Sequence, residues 1–487
     1  NPSLMVVGDD DQSIYGWRGA RIENIQQFHQ DYPNAELIRL EQNYRSTATI
    51  LKAANALITN NAGRMGKELW TEGDEGEPIA LYAGFNEQDE ARYITDRISE
   101  AIGQGLARSE IAILYRSNAQ SRVLEEALLR AAIPYRIYGG QRFFERAEIK
   151  NAMAYMRLIA SRGDDGALER IINVPARGIG ERTVEILRQH AREQDVSMWQ
   201  AACDLIDHKG LPGRAANAVQ GFMQMIEELA ERVEGVPLYS MAQQVIEHSG
   251  LLEFHRNEKG EKAQGRVENL EELVSAARAF ENEMVDFEEE GDVLLAFLAH
   301  ASLEAGETQA DRFEDSVQLM TLHSAKGLEF PLVFLSGMEE GLFPHKMSLE
   351  EPGRLEEERR LAYVGITRAM QQLVITWAET RRLYGSETFN MLSRFVREIP
   401  SELIREVRLG NQVSRPFGPG RGKGAMFSQE ATESTGFALG QRVVHSLFGE
   451  GVVLNYEGHG AQARIQVNFD DEGSKWLMVA YAKLQAL

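Results

Sequence analysis

Short apolar runs of strand length, separated by stretches of helical periodicity, organise the chain from Leu4 to about Tyr138. Leu4-Met5-Val6-Val7, Leu37-Ile38-Arg39-Leu40, Ile79-Ala80-Leu81-Tyr82, Ile111-Ala112-Ile113-Leu114-Tyr115 and Tyr135-Arg136-Ile137-Tyr138 read as strands, and Ala91 to Ile102 reads as an amphipathic helix. That alternation predicts a parallel sheet of α/β type. From about Phe143 to Phe313 the strand signals stop. Apolar residues there recur with the helical period, as in Ala215 to Val233 and Val267 to Phe280, which predicts an all-helical insertion. Strand-like runs return at Val317-Gln318-Leu319-Met320-Thr321-Leu322, Leu332-Val333-Phe334-Leu335 and Leu373-Val374-Ile375-Thr376-Trp377. The sheet begun before the insertion is therefore expected to be completed after it.

Between Val407 and Gln429 the basic residues Arg408, Arg415, Arg421 and Lys423 stand among Pro416, Pro419 and five glycines, without an acidic residue. This composition predicts a flexible basic linker. Beyond it, Gly440 to His445, Gly451 to Leu454, Ala463 to Phe469 and Lys475 to Leu477 are short alternating runs separated by glycine turns, as in a small β-barrel.

With 487 residues, 43% apolar and 26% charged, the chain can bury a sizeable core and is expected to hold three or four domains. Its single cysteine, Cys203, excludes an intramolecular disulfide and sits in the helix-like run Trp199 to Leu205, where a small packed residue is the simplest reading. No run approaches the roughly eighteen consecutive apolar residues of a membrane helix, and no leader pattern opens the chain, so a cytoplasmic protein is expected, with no membrane partner. The net charge of −22 speaks to solubility and leaves room for a local basic channel. Acidic residues concentrate in Glu281 to Asp292, which reads as a solvated loop.

Candidate chemistry begins at Gly8-Asp9-Asp10-Asp11-Gln12-Ser13-Ile14-Tyr15-Gly16-Trp17-Arg18-Gly19-Ala20, directly after the first apolar run. The carboxyl end of a strand is where α/β sheets place ligand chemistry. Gln12 stands where a side-chain amide can reach a phosphate or an attacking water. Tyr15, Trp17 and Arg18 add two flat rings and a planar cation, which suit a groove for unpaired bases. Loss of a γ-phosphate spreads charge over its oxygens, and forked, permanently charged guanidinium groups stabilise that charge best. Arg45 and Arg368, each after an apolar run and at or along a helix, are the candidates.

Three further segments follow the first in order: Leu40-Glu41-Gln42-Asn43-Tyr44-Arg45-Ser46, Met320-Thr321-Leu322-His323-Ser324-Ala325-Lys326-Gly327-Leu328-Glu329-Phe330, and Arg359-Arg360-Leu361-Ala362-Tyr363-Val364-Gly365-Ile366-Thr367-Arg368-Ala369. Together the four resemble the later motifs of the UvrD/Rep/PcrA family of superfamily-one DNA helicases, most closely its UvrD branch, over nearly the whole chain. The resemblance implies a RecA-like parallel-sheet motor domain interrupted by an all-helical insertion, with a small Tudor/SH3-like β-barrel at the end. In its terms residues 1–41 end a first RecA-like domain, 42–140 and 314–406 form the second, 141–313 are the insertion, 407–436 the linker and 437–487 the barrel.

The resemblance also implies roles. Gln12 matches the γ-phosphate sensor, Tyr44 the ring that stacks on adenine, and Arg45 and Arg368 the arginines of motifs IV and VI. Gly327 and Glu329 lie in motif V, where the glutamate contacts ribose; pairing of Glu329 with a nearby arginine is the other reading. His323 matches a DNA-contacting histidine, or is a strand-end histidine satisfied by backbone. Arg177-Gly178-Ile179-Gly180-Glu181-Arg182-Thr183 matches a duplex-holding turn, in which Gly178 and Gly180 let backbone amides approach phosphates and Thr183 flanks them. Implied partners are ATP with Mg2+, single-stranded DNA and single-strand/duplex junctions, RNA polymerase at the barrel, and mismatch- and excision-repair proteins; the implied activity is ATP-dependent 3′ to 5′ unwinding.

No Gly-x-x-x-x-Gly-Lys-Ser/Thr phosphate cradle occurs in the sequence, and the strand-following pair Asp471-Glu472 stands far from any motor motif. The chain opens at Asn1, just downstream of where the family keeps its magnesium carboxylates. The expectation is a C-terminal portion of a longer helicase that does not hydrolyse ATP alone. A helicase-nuclease subunit of the AddA/RecB type would need a carboxylate-rich nuclease domain where this chain has a barrel. An ATPase-inactive module that only holds DNA or RNA polymerase remains the other reading.

Overall fold

A computed structural model describes residues 5–258, 260–286, 292–306, 314–349, 351, 353–383, 386–407, 441–445, 449–457, 464–469, 473–478 and 484–486, some of them, Trp17 included, by backbone alone. Most of the expected linker, the centre of the acidic stretch after Glu281, and Asp471-Glu472 lie outside the described residues.

Seven strands form one parallel sheet: β1 (Ile79–Gly84), β2 (Ile111–Tyr115), β3 (Tyr135–Ile137), β4 (Val317–Thr321), β5 (Phe330–Leu335), β6 (Ala369–Ala378) and, after the hairpin β7 (Thr380–Leu383) and β8 (Ser386–Phe389), β9 (Ile404–Glu406). Their order is β3-β4-β2-β5-β6-β1-β9. Strand β2 is buried at every position, as expected of a central parallel strand covered on both faces. One face packs Ile50, Leu57, Leu114, Val333 and Leu361 together, and the other packs Ile94, Ile98, Ile113, Leu128 and Val374.

Between β3 and β4 the chain leaves the sheet for nine helices, from Ala147–Ala160 to Val293–Gly306, among the described residues. In Gly213–Val233 the buried residues Val219, Phe222, Ile226, Leu229 and Val233 recur at spacings of three and four, one apolar stripe on an otherwise polar helix. Such stripes close over a separate core that includes Ile149, Leu187, Phe222, Leu273 and Phe297. Where the insertion meets the sheet domain, the contacts are polar. Arg122 donates to Glu272 at 2.6 Å, Arg146 to Ser121 Oγ at 2.6 Å, and Ser117 to Glu268. Burial pushes the Glu272 carboxyl up to about 7, against the pull of Arg122.

The last unit carries a five-stranded antiparallel sheet, β10 (Arg442–His445), β11 (Gly449–Glu457), β12 (Arg464–Phe469), β13 (Gly473–Met478) and β14 (Gln485–Ala486), in the order β13-β12-β11-β10-β14. Val443, Val453, Ile465 and Val467 form its core.

Two expected strands do not form. Residues 5–9 and 35–41 pair with no described strand, and Met5, Val7, Ile38 and Leu40 are 83%, 82%, 71% and 81% exposed. An apolar run becomes a parallel strand only beside a neighbouring strand, and Gln42 finds just an isolated bridge to Trp70.

At the far end of the sheet, Arg381 of β7 is buried between Glu90 and Glu339, both also buried. Glu339 accepts from Ala378 N at 2.7 Å and from the Asn390 amide at 2.7 Å, and Glu90 accepts from Gly337 N at 2.8 Å and Thr376 Oγ1 at 2.6 Å. Glu339→Ala leaves Arg381 with Glu90 alone and takes the acceptor from Ala378 N and the Asn390 amide, and is expected to lower the unfolding free energy by about 1–3 kcal/mol, read from urea denaturation.

Candidate nucleotide and single-strand site

The loop after residue 8 is held from three directions. Arg64 grips Asp11 through Nε and Nη2, both at 2.7 Å, and that bond raises the arginine's pKa. Lys67 pairs with Asp9, and Asp10 accepts from Met65 N at 2.8 Å. The three carboxylates, close enough together to hold a cation, are thus occupied in fixing the loop. The Gln12 amide donates to Asp9 at 2.6 Å. Lys326 Nζ donates to the Gln12 carbonyl at 2.8 Å, Arg360 Nε to the Ser13 carbonyl at 2.7 Å, and Gly16 N to Glu357 at 2.8 Å. A Cβ at Gly16 would stand 2.7 Å from Glu357 Oε2, so a larger residue there would push the carboxylate from its bond to Gly16 N.

Tyr15 donates to the His323 carbonyl at 3.3 Å, and Lys326 and Arg18 stand 5.3 and 5.4 Å from its ring centroid. Arg18 is exposed, and Trp17 lies in the same short turn, Gly16–Arg18, with its side chain outside the described residues. Burial, and then the charge of Arg116, lower the His323 pKa to about 4. At neutral pH the ring is uncharged, so it can exchange hydrogen bonds but forms no ion pair.

On the other side of the same segments, Asn43 Oδ1 accepts from Arg45 N at 2.8 Å and Ser46 N at 2.9 Å, a local turn that aims residues 44 and 45 outward. Tyr44 is 86% exposed. Arg45 Nε meets Glu329 Oε2 at 2.5 Å, the arginine pairing left open by the sequence. Gly327 holds φ +90 in the turn that brings Glu329 there. Arg368 faces inward. It is 2% exposed and donates to the carbonyls of Val364 and Leu328 at 3.1 and 3.0 Å and to Thr367 Oγ1 at 3.1 Å. Burial, then the neighbouring Arg45, bring its pKa down to about 10, which leaves it charged at neutral pH.

Gly178, Gly180 and Thr183 belong to a separate turn, in the helical insertion. Gly178 has φ +78, Gly180 caps the helix Glu181–Gln194, and no atom lies within 4 Å of a Cβ built on either, so the backbone there is open to approach. Arg177 does not face outward with them. It donates to Tyr155 Oη at 2.6 Å and the Ser249 carbonyl at 2.8 Å, anchoring the turn from within.

The family model for the UvrD-like helicase C-terminal domain matches residues 38–380. The chain belongs to the UvrD-like helicase family. The UvrD/REP helicase N-terminal domain model matches residues 1–33, and the PcrA/UvrD tudor domain model residues 439–485. The chain is 59% identical to DNA helicase II of Escherichia coli (strain K12) and 54% to that of Haemophilus influenzae, in each case over 99% of this chain and 66% of the relative. It is 42% identical to the ATP-dependent DNA helicase PcrA of Bacillus subtilis, over 99% of this chain and 67% of that protein. The chain thus spans 66% of the length of the DNA helicase II proteins it matches. No helix among the described residues is long and apolar enough to cross a membrane.

Sequence reasoning missed the residues that hold the site. Lys326 and Arg360 stand inside the segments it quoted, but their targets are backbone carbonyls, which no sequence pattern names. Arg64 and Lys67 stand in Gly63-Arg64-Met65-Gly66-Lys67, whose glycine-spaced cations were the available signal.

The His323 ring carries a pH signature. The unfolded chain takes up a proton near pH 6.5, which the folded ring accepts only near 4, so stability is lost as pH falls through this window. The loss attributable to the ring is at most about 1.4 kcal/mol per pH unit. His323→Gln is expected to flatten that part of the profile in urea denaturation at stepped pH.

Proposed function

We propose that this chain is the nucleotide-sensing and strand-gripping part of an ATP-dependent 3′ to 5′ DNA helicase of mismatch and nucleotide-excision repair. The observation that carries the reading is the meeting of Arg45, Glu329 and Arg368 next to the exposed Tyr44: the Arg45–Glu329 bond is 2.5 Å, and Arg368 lies near enough to feel the charge of Arg45. Two guanidinium groups beside an exposed ring suit one flank of a nucleoside triphosphate. Tyr44 would stack on the base, Glu329 would accept from the ribose, and Arg45, released from Glu329, would turn to the γ-phosphate. Arg368, already spent on carbonyls, would lend its charge from behind.

The loop of residues 9–18 links the two functions. Its carbonyls are held by Lys326 and Arg360, from the same segments that carry Glu329 and Arg368. A shift of these segments on nucleotide binding would move Tyr15, Trp17 and Arg18 against a single strand, and repeated shifts become steps. The turn at Gly178, Gly180 and Thr183 would hold duplex at the junction through phosphates. Asp9, Asp10 and Asp11 do not fit a magnesium site, since Lys67, Met65 N and Arg64 already engage them. Magnesium ligands and a phosphate cradle are assigned to a further motor domain, without which the chain is inactive. The tudor-matched unit would contact RNA polymerase, and repair proteins would recruit the assembly, in the cytoplasm.

ATP turnover of this chain alone, and joined to the N-terminal part of DNA helicase II, tests the reading. Turnover is expected only on joining, to rise with single-stranded DNA, and to fall about a thousandfold with Arg45→Ala. A joined protein that binds DNA without turnover would replace the helicase reading with that of a binding module. In anisotropy titrations of labelled oligo-dT, Tyr15→Ala is expected to weaken binding by about 1–3 kcal/mol.

A further inference from the structure

On the helical insertion, a groove of about 230 Å³ lies between the helices Ala147–Ala160, Asp165–Ile171 and Val293–Gly306. Its walls include Met153, Ala154, Ala167, Ala301 and Ala305, with Phe144 beneath. Three cations also line it: Lys150, Arg157 and Arg170. Among the described residues none of the three makes an ion pair. Arg157 donates to Ser302 Oγ and Arg170 to the Ala147 carbonyl at 3.3 Å, both neutral acceptors. The one carboxylate at the rim, Asp164, accepts from Ala167 N at 2.8 Å and caps its helix.

The last of these helices adds an apolar exterior. Leu295, Ala299, Ser302 and Leu303 are exposed at the spacing of one helix face, which carries no charge; Leu295 is 54% and Leu303 72% exposed. Exposed leucines beside an apolar groove, rimmed by polar groups, mark an interaction surface more often than a passive one.

We propose that this groove docks an acidic, amphipathic peptide segment of a partner protein. The occupant is set by complementarity. Three cations without a carboxylate partner among the described residues, on a chain of net charge −22, favour Asp or Glu, while the aliphatic walls favour one or two leucine- or phenylalanine-sized anchors. An amphipathic helix laid in a groove presents both, with anchors four residues apart and acids on its flanks. A nucleic acid strand fits less well. Base stacking needs exposed aromatic faces, and Phe144, the one ring in the lining, is 5% exposed.

The probe is a labelled twelve-residue helical peptide with leucine and phenylalanine four positions apart among glutamates, titrated with this chain by anisotropy. The expected result is saturable binding that weakens at least tenfold in the doubly reversed variant Lys150→Glu, Arg170→Glu. Both side chains are exposed, so the fold should survive, which a thermal melt checks. Replacing both anchors of the peptide by alanine should abolish binding, as charge alone would not predict. Absence of binding overturns the proposal, and so does equal binding to the variant. If the variant instead loses affinity for oligo-dT while the peptide is unaffected, the groove is a nucleic-acid contact and the proposal fails. None of these outcomes bears on the helicase reading.

Discussion

Parallel pairing of β3 with β4 is the constraint on which the remaining structure depends. Tyr135 registers with Val317 although the whole helical insertion separates them in sequence. A parallel strand cannot be joined to its neighbour by a tight turn, so some crossover had to be there. Here the crossover has grown into a body with its own core. Because it leaves and returns between adjacent strands, the order of the sheet is undisturbed, and the segment that follows β4 brings Glu329, just before β5, to Arg45.

The way the insertion is attached follows from that arrangement. Its apolar stripes are consumed by its own core, which leaves charged and hydroxyl side chains for the seam with the sheet domain: Arg122 with Glu272, Arg146 with Ser121, Ser117 with Glu268. Buried polar contacts of this kind contribute less net stability than apolar packing of equal area, but they are demanding in geometry. The seam therefore specifies orientation more than it supplies cohesion. Within the sheet domain, Arg381, Glu339 and Glu90 play the corresponding part for the β7–β8 hairpin.

The site is assembled by the same economy of backbone contacts. Lys326 and Arg360 reach carbonyls of the loop that carries Tyr15, while Glu329 and Arg368, from the same two segments, stand beside Arg45. A ligand that displaces either segment on one side must disturb hydrogen bonds on the other. Charge is balanced locally: burial first, and then the neighbouring Arg45, lower the Arg368 pKa, and Glu329 offsets part of that.

Much of this was legible in the residues. Strand-length runs and helical periods located the sheet, the insertion and the last small sheet, because periodicity reports burial directly, and four ordered segments carried the family. The same runs misled at Val6 and Ile38, where strand formation depends on a neighbour and not on the run itself. That Arg177 turns inward, that Arg368 is buried and that Arg45 is the arginine paired with Glu329 could not be read, since a guanidinium's direction is decided by whichever oxygens the fold brings within reach. Sequence by itself determined the elements, the chemistry available and the family. Only the tertiary structure decided which charges meet, because those pairings join residues from tens to nearly three hundred positions apart through contacts that leave no local pattern.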